Sequence, residues 1–213
     1  MARIAILAVS KRPDGMCLAG IDLETRKWVR PVTKNGDGIP TDRCIVKGRM
    51  LSIRDILECD LIQPRTSVKF QRENQTIRNW DWQVKRRLEL SSLDEFVEDL
   101  SPILHTTNDR VATSVLEVKA PSEWKSLQLV RPKRLNFGRH YYDPNRWVAD
   151  FQDADGNNYS MKITDPLINR RLEAGKTINK DCLLTVSMTK PWTHNPAEQP
   201  PTCYKVVAAV VEL

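Results

Sequence analysis

The sequence predicts a mainly β chain with minor α content, arranged as two tandem barrels packed together. Three observations carry that expectation. Short apolar runs recur along most of the 213 residues, bounded by Gly, Pro, Asn and Asp clusters. Only one stretch, in the first half, combines a cap, an acidic first turn and an apolar helical face. The length suffices for two domains of about 100 residues each.

Taken in order, "RIAILAVSK" is an apolar strand bounded by "RPDG". "MCLAGIDL" follows, and "KWVRPV" comes after the polar turn "ETR", so the chain opens as a meander. After the loop "KNGDGIPTD", the alternation in "RMLSIRDILECDLIQP" favours a strand ending at Pro64. "SVKFQRENQTI" and "WDWQVKRR" are further extended or turn-like pieces. "SLDEFVEDLSPIL" predicts the helix. Ser91 or Ser92 caps it, Asp94 and Glu95 sit at the positive end of the dipole, and Leu93, Phe96, Val97 and Leu100 share a face, with Pro102 as the limit.

A second strand-rich run begins at "VATSVLEVKA" and continues through "LQLVRPKRLNF", "RWVADF", "CLLTVSMTK" and "YKVVAAVVEL". Within it "FQDADGNNYSMKI" is a hairpin turned at Asp155-Gly156. "DPLINRRLEA" is a short helix or turn, capped by Thr164 or Asp165 with Pro166 at its first position. "RKWVRPV" has echoes in "NRWVADF" and "LQLVRPKRL", a faint sign of duplication. The halves divide as residues 1–105, a barrel with the acidic helix, and 106–213, a second barrel. No Gly/Ser- or Pro-rich linker separates them, hence the packing.

No stretch approaches the roughly 18 apolar residues of a membrane span, and the start "MARIAILAVSKR" lacks a leader pattern. Five scattered cysteines, without a C-x-x-C pair, fit reduced thiols and a cytoplasmic chain with no structural metal and no cofactor. The formal charge of +6 makes an anionic partner plausible, and its distribution sharpens the point. From Lys125 to Trp147 six cations face the single anion Asp143.

The ordered pieces "CLAGIDLETRKWVRPV", "LSIRDILECDLIQP" with "QREN" and the tryptophans, "LQLVRP", "WVADFQDADGNNYSMKITDP" and "CLLTVSMTKPW…CYKVVAAVVEL" resemble the dual OB-fold domain proteins of prokaryotes. These are small chains considered alongside mobile-element and conflict systems. The resemblance spans nearly the whole chain. It implies two OB-like barrels and a loosely defined role in binding nucleic acid, with no established catalytic residues.

Candidate contacts form two groups. The first is Arg30, Arg78, Trp80, Trp82, Lys85, Arg86 and Arg87, where cations interleave with aromatics. The second, and stronger, is Arg131, Lys133, Arg134, Arg139, His140, Tyr141, Tyr142 and Arg146. Each has a bland alternative: strand aromatics are chiefly core, and cations chiefly solvated rim. Trp28 is favoured as core; exposed, it would stack a base while Arg30 met a phosphate.

The expected function is therefore binding of nucleic acid, single-stranded, DNA or RNA, without catalysis. His105, His140 and His194 lie in no catalytic context. "DADGNNY" lacks the closing Glu of a calcium loop. The rivals are a protein-binding adaptor of a defence or mobile-element system, and a metal-dependent nuclease or nucleotide-processing enzyme drawing on acids such as Asp55 and Glu73.

Overall fold

The computed structural model describes residues 1–12, 14–63, 68–193 and 199–213. The expected strand end at Pro64, and His194, lie outside them. Backbone contacts form two compact units, Met1–Val68 with Glu73–Phe96, and Lys69–Arg72 with Val97–Leu213, where the sequence suggested a division at 105/106.

In the first unit β1 (Ala2–Arg12), β2 (Gly15–Asp22) and β3 (Trp28–Val32) form the expected antiparallel meander. A small hairpin, β4 (Ile45–Val46) and β5 (Arg49–Met50), precedes β6 (Asp55–Cys59) and β7 (Leu61–Ile62). Then come β8 (Asn74–Ile77) and β9 (Gln83–Arg87). The sheet order is β7-β8-β3-β2-β1-β6-β9, with β3 and β8 parallel.

Asp60 alone separates β6 from β7, yet β6 pairs with β1 and β7 pairs with β8. As one bent strand they close the circuit, giving the order 1-2-3-5-4-1 when β8 is counted fifth. Ile4–Ser10 of β1 is buried throughout, as befits a strand covered on both faces. Gly20 is required beside it: a Cβ there would lie 2.1 Å from the Ala5 carbonyl oxygen, next to the bulge between Ile6 and Ala8. Ile4, Ile6, Leu18, Val29, Leu57, Ile77 and Trp82 fill the interior. Each fully buried aliphatic side chain contributes about 1.5–3 kcal/mol.

The acidic stretch is not an α-helix. It forms two single 3-10 turns, Leu90–Ser92 and Asp94–Phe96, that bury Leu93 and Phe96. Beyond them the Glu98 amide donates to the Leu129 carbonyl, and Gln128 Nε2 donates to the carbonyls of Glu98 and Leu100. Those backbone groups bond to a strand instead of continuing a helical ladder, so tertiary pairing overrides the local period.

In the second unit β10 (Arg110–Ala112) and α1 (Thr113–Glu117) replace the strand expected across "VATSVLEVKA". β11 (Leu127–Val130) and β12 (Lys133–His140) are halves of one strand bent at Arg131-Pro132. β13 (Asp143–Gln152) and β14 (Asn158–Ile163) form the expected hairpin, with Gly156 at φ +87° in its turn. α2 (Pro166–Glu173) starts on Asp165, whose carboxylate accepts from the Leu167 and Ile168 amides. β15 (Cys182–Met188) and β16 (Thr202–Glu212) complete it.

β11 pairs with β15, β15 with β16, β16 in parallel with β14, β14 with β13, and β13 with β12. The bend at Arg131-Pro132 closes this circuit in the same 1-2-3-5-4-1 order, around Phe151, Met161, Ile163, Ile168, Leu184 and Val207. Both circuits are OB barrels, as the resemblance implies. The sequence echoes do not map onto each other. Trp28-Val29 lies in the third strand of its barrel, Trp147-Val148 in the second of the other, and Arg131-Pro132 at a bend.

Candidate nucleic-acid interface

The second group of candidate residues is brought together by the β12–β13 hairpin, which joins the first two strands of its barrel. Tyr141 and Tyr142 form the tip and are 89% and 86% exposed. Their rings meet edge-on at 4.8 Å, and His140 Nδ1 accepts from the Tyr142 amide at 3.2 Å. Two adjacent tyrosines left in water are a departure from ordinary burial.

Many of the surrounding cations have protein partners. Arg139 donates to both oxygens of Glu173, at 2.9 and 2.8 Å, and its guanidinium lies 3.9 Å from the Trp147 ring centroid. Trp147 Nε1 donates to the same carboxylate at 2.8 Å. The bonds from Arg139 and Trp147 hold Glu173 below its ordinary carboxylate range. Arg146 pairs with Asp143 at 2.6 Å, Arg131 with Asp181 at 3.9 Å, and Lys133 Nζ donates to the Ala154 carbonyl at 2.7 Å. Arg134 is exposed at φ +50° and borders a depression of about 460 Å³. Asp150, Gln152, Asn158 and Ser160 line the rest of its polar rim, on the second and third strands.

The first group disperses. Arg30 is 1% exposed, with Nη2 3.4 Å from Glu73 and Nη1 donating to Asn74 at 3.0 Å. It is an interior ion pair, which corrects its assignment as a phosphate contact. Trp82 is likewise core, 6% exposed; Trp80, half-buried, packs against it at 5.3 Å, so the two do share a side and it is turned to the core. Trp28 is half-buried at the start of its strand. Arg78 pairs with Asp60 and Lys85 with Glu58, while Arg86 and Arg87 are exposed on the terminal strand of the sheet. Arg30 reads as a surface cation by residue type, yet Val29–Val32 of its strand are all buried, next to a parallel neighbour.

The acids considered for a nuclease have structural partners. Asp55 accepts from the Ser52 amide and pairs with Arg49; Glu73 pairs with Arg30. His105 Nε2 lies 2.9 Å from the Lys125 carbonyl, and burial lowers its pKa. Asp153, in the calcium-like stretch, is occupied by Ser101, Asn157 and Tyr159. Among the described residues no group of three or more His, Cys, Asp or Glu gathers at ligand distance.

One aromatic escaped sequence reasoning. Trp192, 53% exposed and 6.2 Å from the Tyr204 ring, lies between β15 and β16, the fourth and fifth barrel strands. A tryptophan in the polar, Pro-rich stretch "KPWTHNPAEQPP" was the available signal. In OB barrels the loops joining strands 1–2 and 4–5 flank the ligand face of strands 2–3. Here those positions hold the tyrosine hairpin, Trp192 and the polar depression.

No helix among the described residues is long and apolar enough to cross a membrane. No curated protein and no solved structure matches the chain. A family model of the dual OB-containing domain matches residues 2–210. With two strand circuits of OB order beneath that match, the chain belongs to the dual OB-containing domain family.

Proposed function

We propose that the second barrel binds single-stranded nucleic acid and holds it without chemical change, in the cytoplasm, where its five unpaired cysteines remain thiols. The observation that supports this most is the exposed pair Tyr141 and Tyr142 at the tip of a hairpin carrying Arg134, Arg139 and Arg146. Unstacked bases offer flat faces to such rings, while cations track the phosphates. Trp192 on the 4–5 loop supplies a second platform.

The test is anisotropy titration of labelled oligothymidylate and oligouridylate over a range of salt. Tyr141→Ala with Tyr142→Ala should cost about 1–3 kcal/mol per stacked base. Replacing Arg131, Lys133, Arg134 and Arg139 by Ala should flatten the salt slope by at most about one unit per lost contact. Unchanged binding in both variants refutes the surface.

A second reading, a protein-binding adaptor in a defence or mobile-element setting, draws on the ion pairs at Arg139, Arg146 and Arg131. They already spend much of the local positive charge inside the protein. Tyrosine and arginine are also favoured at protein interfaces. Absence of salt-dependent oligonucleotide binding, with co-purification of a protein, would favour it.

A further inference from the structure

We propose that the free edge of β9 in the first unit receives an acidic peptide in extended conformation as an added strand. This goes beyond the nucleic-acid reading and rests on none of its residues in the second unit.

β9 is the terminal strand of its sheet: it pairs with β6, and among the described residues no strand pairs with its other side. Four of its five residues, Gln83, Lys85, Arg86 and Arg87, are exposed. The ladder fixes which backbone groups point outward. Arg87 is opposite Asp55, and the Leu88 amide donates to the Arg54 carbonyl. That bond makes Arg87–Asp55 a non-hydrogen-bonded pair, so the N–H and C=O of Arg87 turn away from β6. Counted along β6 by the two-residue period, the next such position is Leu57, whose partner is Val84, so the groups of Val84 do the same, and the register shift leaves Lys85 as the extra residue of a bulge.

The side chains define what can pair there. Lys85, Arg86 and Arg87 lie on the strand without an acid among them; Asp81 and Glu89 flank it, and Glu58 holds Lys85 at 3.1 Å. A cationic edge resists pairing with a second copy of itself, the usual service of lysine on an exposed edge. The same charge favours a complementary acidic strand, whose backbone meets the outward groups while its carboxylates meet Arg86 and Arg87. A nucleic-acid strand has no amide rhythm to satisfy those groups.

The experiment uses the full chain and a labelled octapeptide alternating Glu and Val, followed by anisotropy. Two further peptides carry backbone N-methyl groups, one on every Glu amide and one on every Val amide. Strand addition uses one edge of the peptide, so one methylated form should bind like the parent and the other about tenfold or more weaker. Arg86→Glu with Arg87→Glu should weaken the parent peptide about tenfold while the tyrosine-hairpin variant leaves it unchanged. Equal binding of both methylated peptides, no peptide binding, or displacement of the peptide by oligothymidylate in the hairpin variant overturns the proposal. None of those outcomes depends on whether the second barrel binds nucleic acid.

Discussion

Stability should rise with pH on the alkaline side of neutrality because of a single interior lysine. Lys205 is 2% exposed on β16, with Nζ donating to the Ile103 and Thr106 carbonyls at 2.7 and 2.6 Å and lying 5.4 Å over the Tyr159 ring. Burial pushes its pKa from 10.5 down to about 7, against the pull of Asp109 and Asp153. Between those values the unfolded chain holds a proton that the native chain has released. Unfolding free energy therefore climbs, by at most about 1.4 kcal/mol per pH unit.

The climb has a ceiling. Burial lifts the thiols of Cys44, Cys59 and Cys182 from 9.0 to about 12 and that of Cys203 to about 11. As pH approaches 9.0 the native chain keeps protons that the unfolded chain loses, and because four thiols oppose one lysine the slope reverses before 9.0 is reached. His105, lowered from 6.5, acts below the window. The contribution of Lys205 from about pH 7 to about pH 9 is thus about 2 kcal/mol, of which the four thiols take back more than half in the native chain, so it is read as the difference between two proteins. Urea unfolding in half-unit steps across that range, on the native chain and on Lys205→Met, reads it directly. Contributions from other groups cancel in the difference of slopes. Equal slopes in the two proteins refute the reasoning.

Further outcomes follow from individual contacts. Arg30→Ala should destabilise by about 3–5 kcal/mol in urea unfolding, because it strands the Glu73 carboxylate in the interior, and Glu73→Ala in the same chain should recover part of the loss. Trp82→Ala should cost about 3–5 kcal/mol, with half-buried Trp28→Ala costing less in the same melts. Glu173→Gln removes the carboxylate that occupies Arg139, so oligonucleotide titrations should show tighter binding and a salt slope steeper by about one unit. Asp165→Ala should cost about 1–2 kcal/mol in thermal melts, since the carboxylate caps α2.

What the sequence determined by itself is local or cumulative. The first meander, the hairpin at Asp155-Gly156 and the helix begun by Asp165 and Pro166 each follow from a few adjacent residues. The family resemblance accumulates over nearly the whole chain. The exposed hairpin tip was legible too, because cations and tyrosines crowd a short stretch around one glycine.

Only the tertiary structure decided the rest. Closure of each barrel depends on a strand that bends and changes partner, at Asp60 and at Arg131-Pro132, and pairing partners lie tens of residues away. The acidic stretch has a helical period, yet the amide of Glu98 bonds to Leu129 and the ladder stops. Arg30 is interior because Glu73 and Asn74, more than 40 residues on, come to meet it. Phe70 belongs to the core of the second unit although the segments before and after Lys69–Arg72 belong to the first. Local propensity sets what a segment can become, whereas burial and partner choice are set by contacts between segments that no short window of sequence contains.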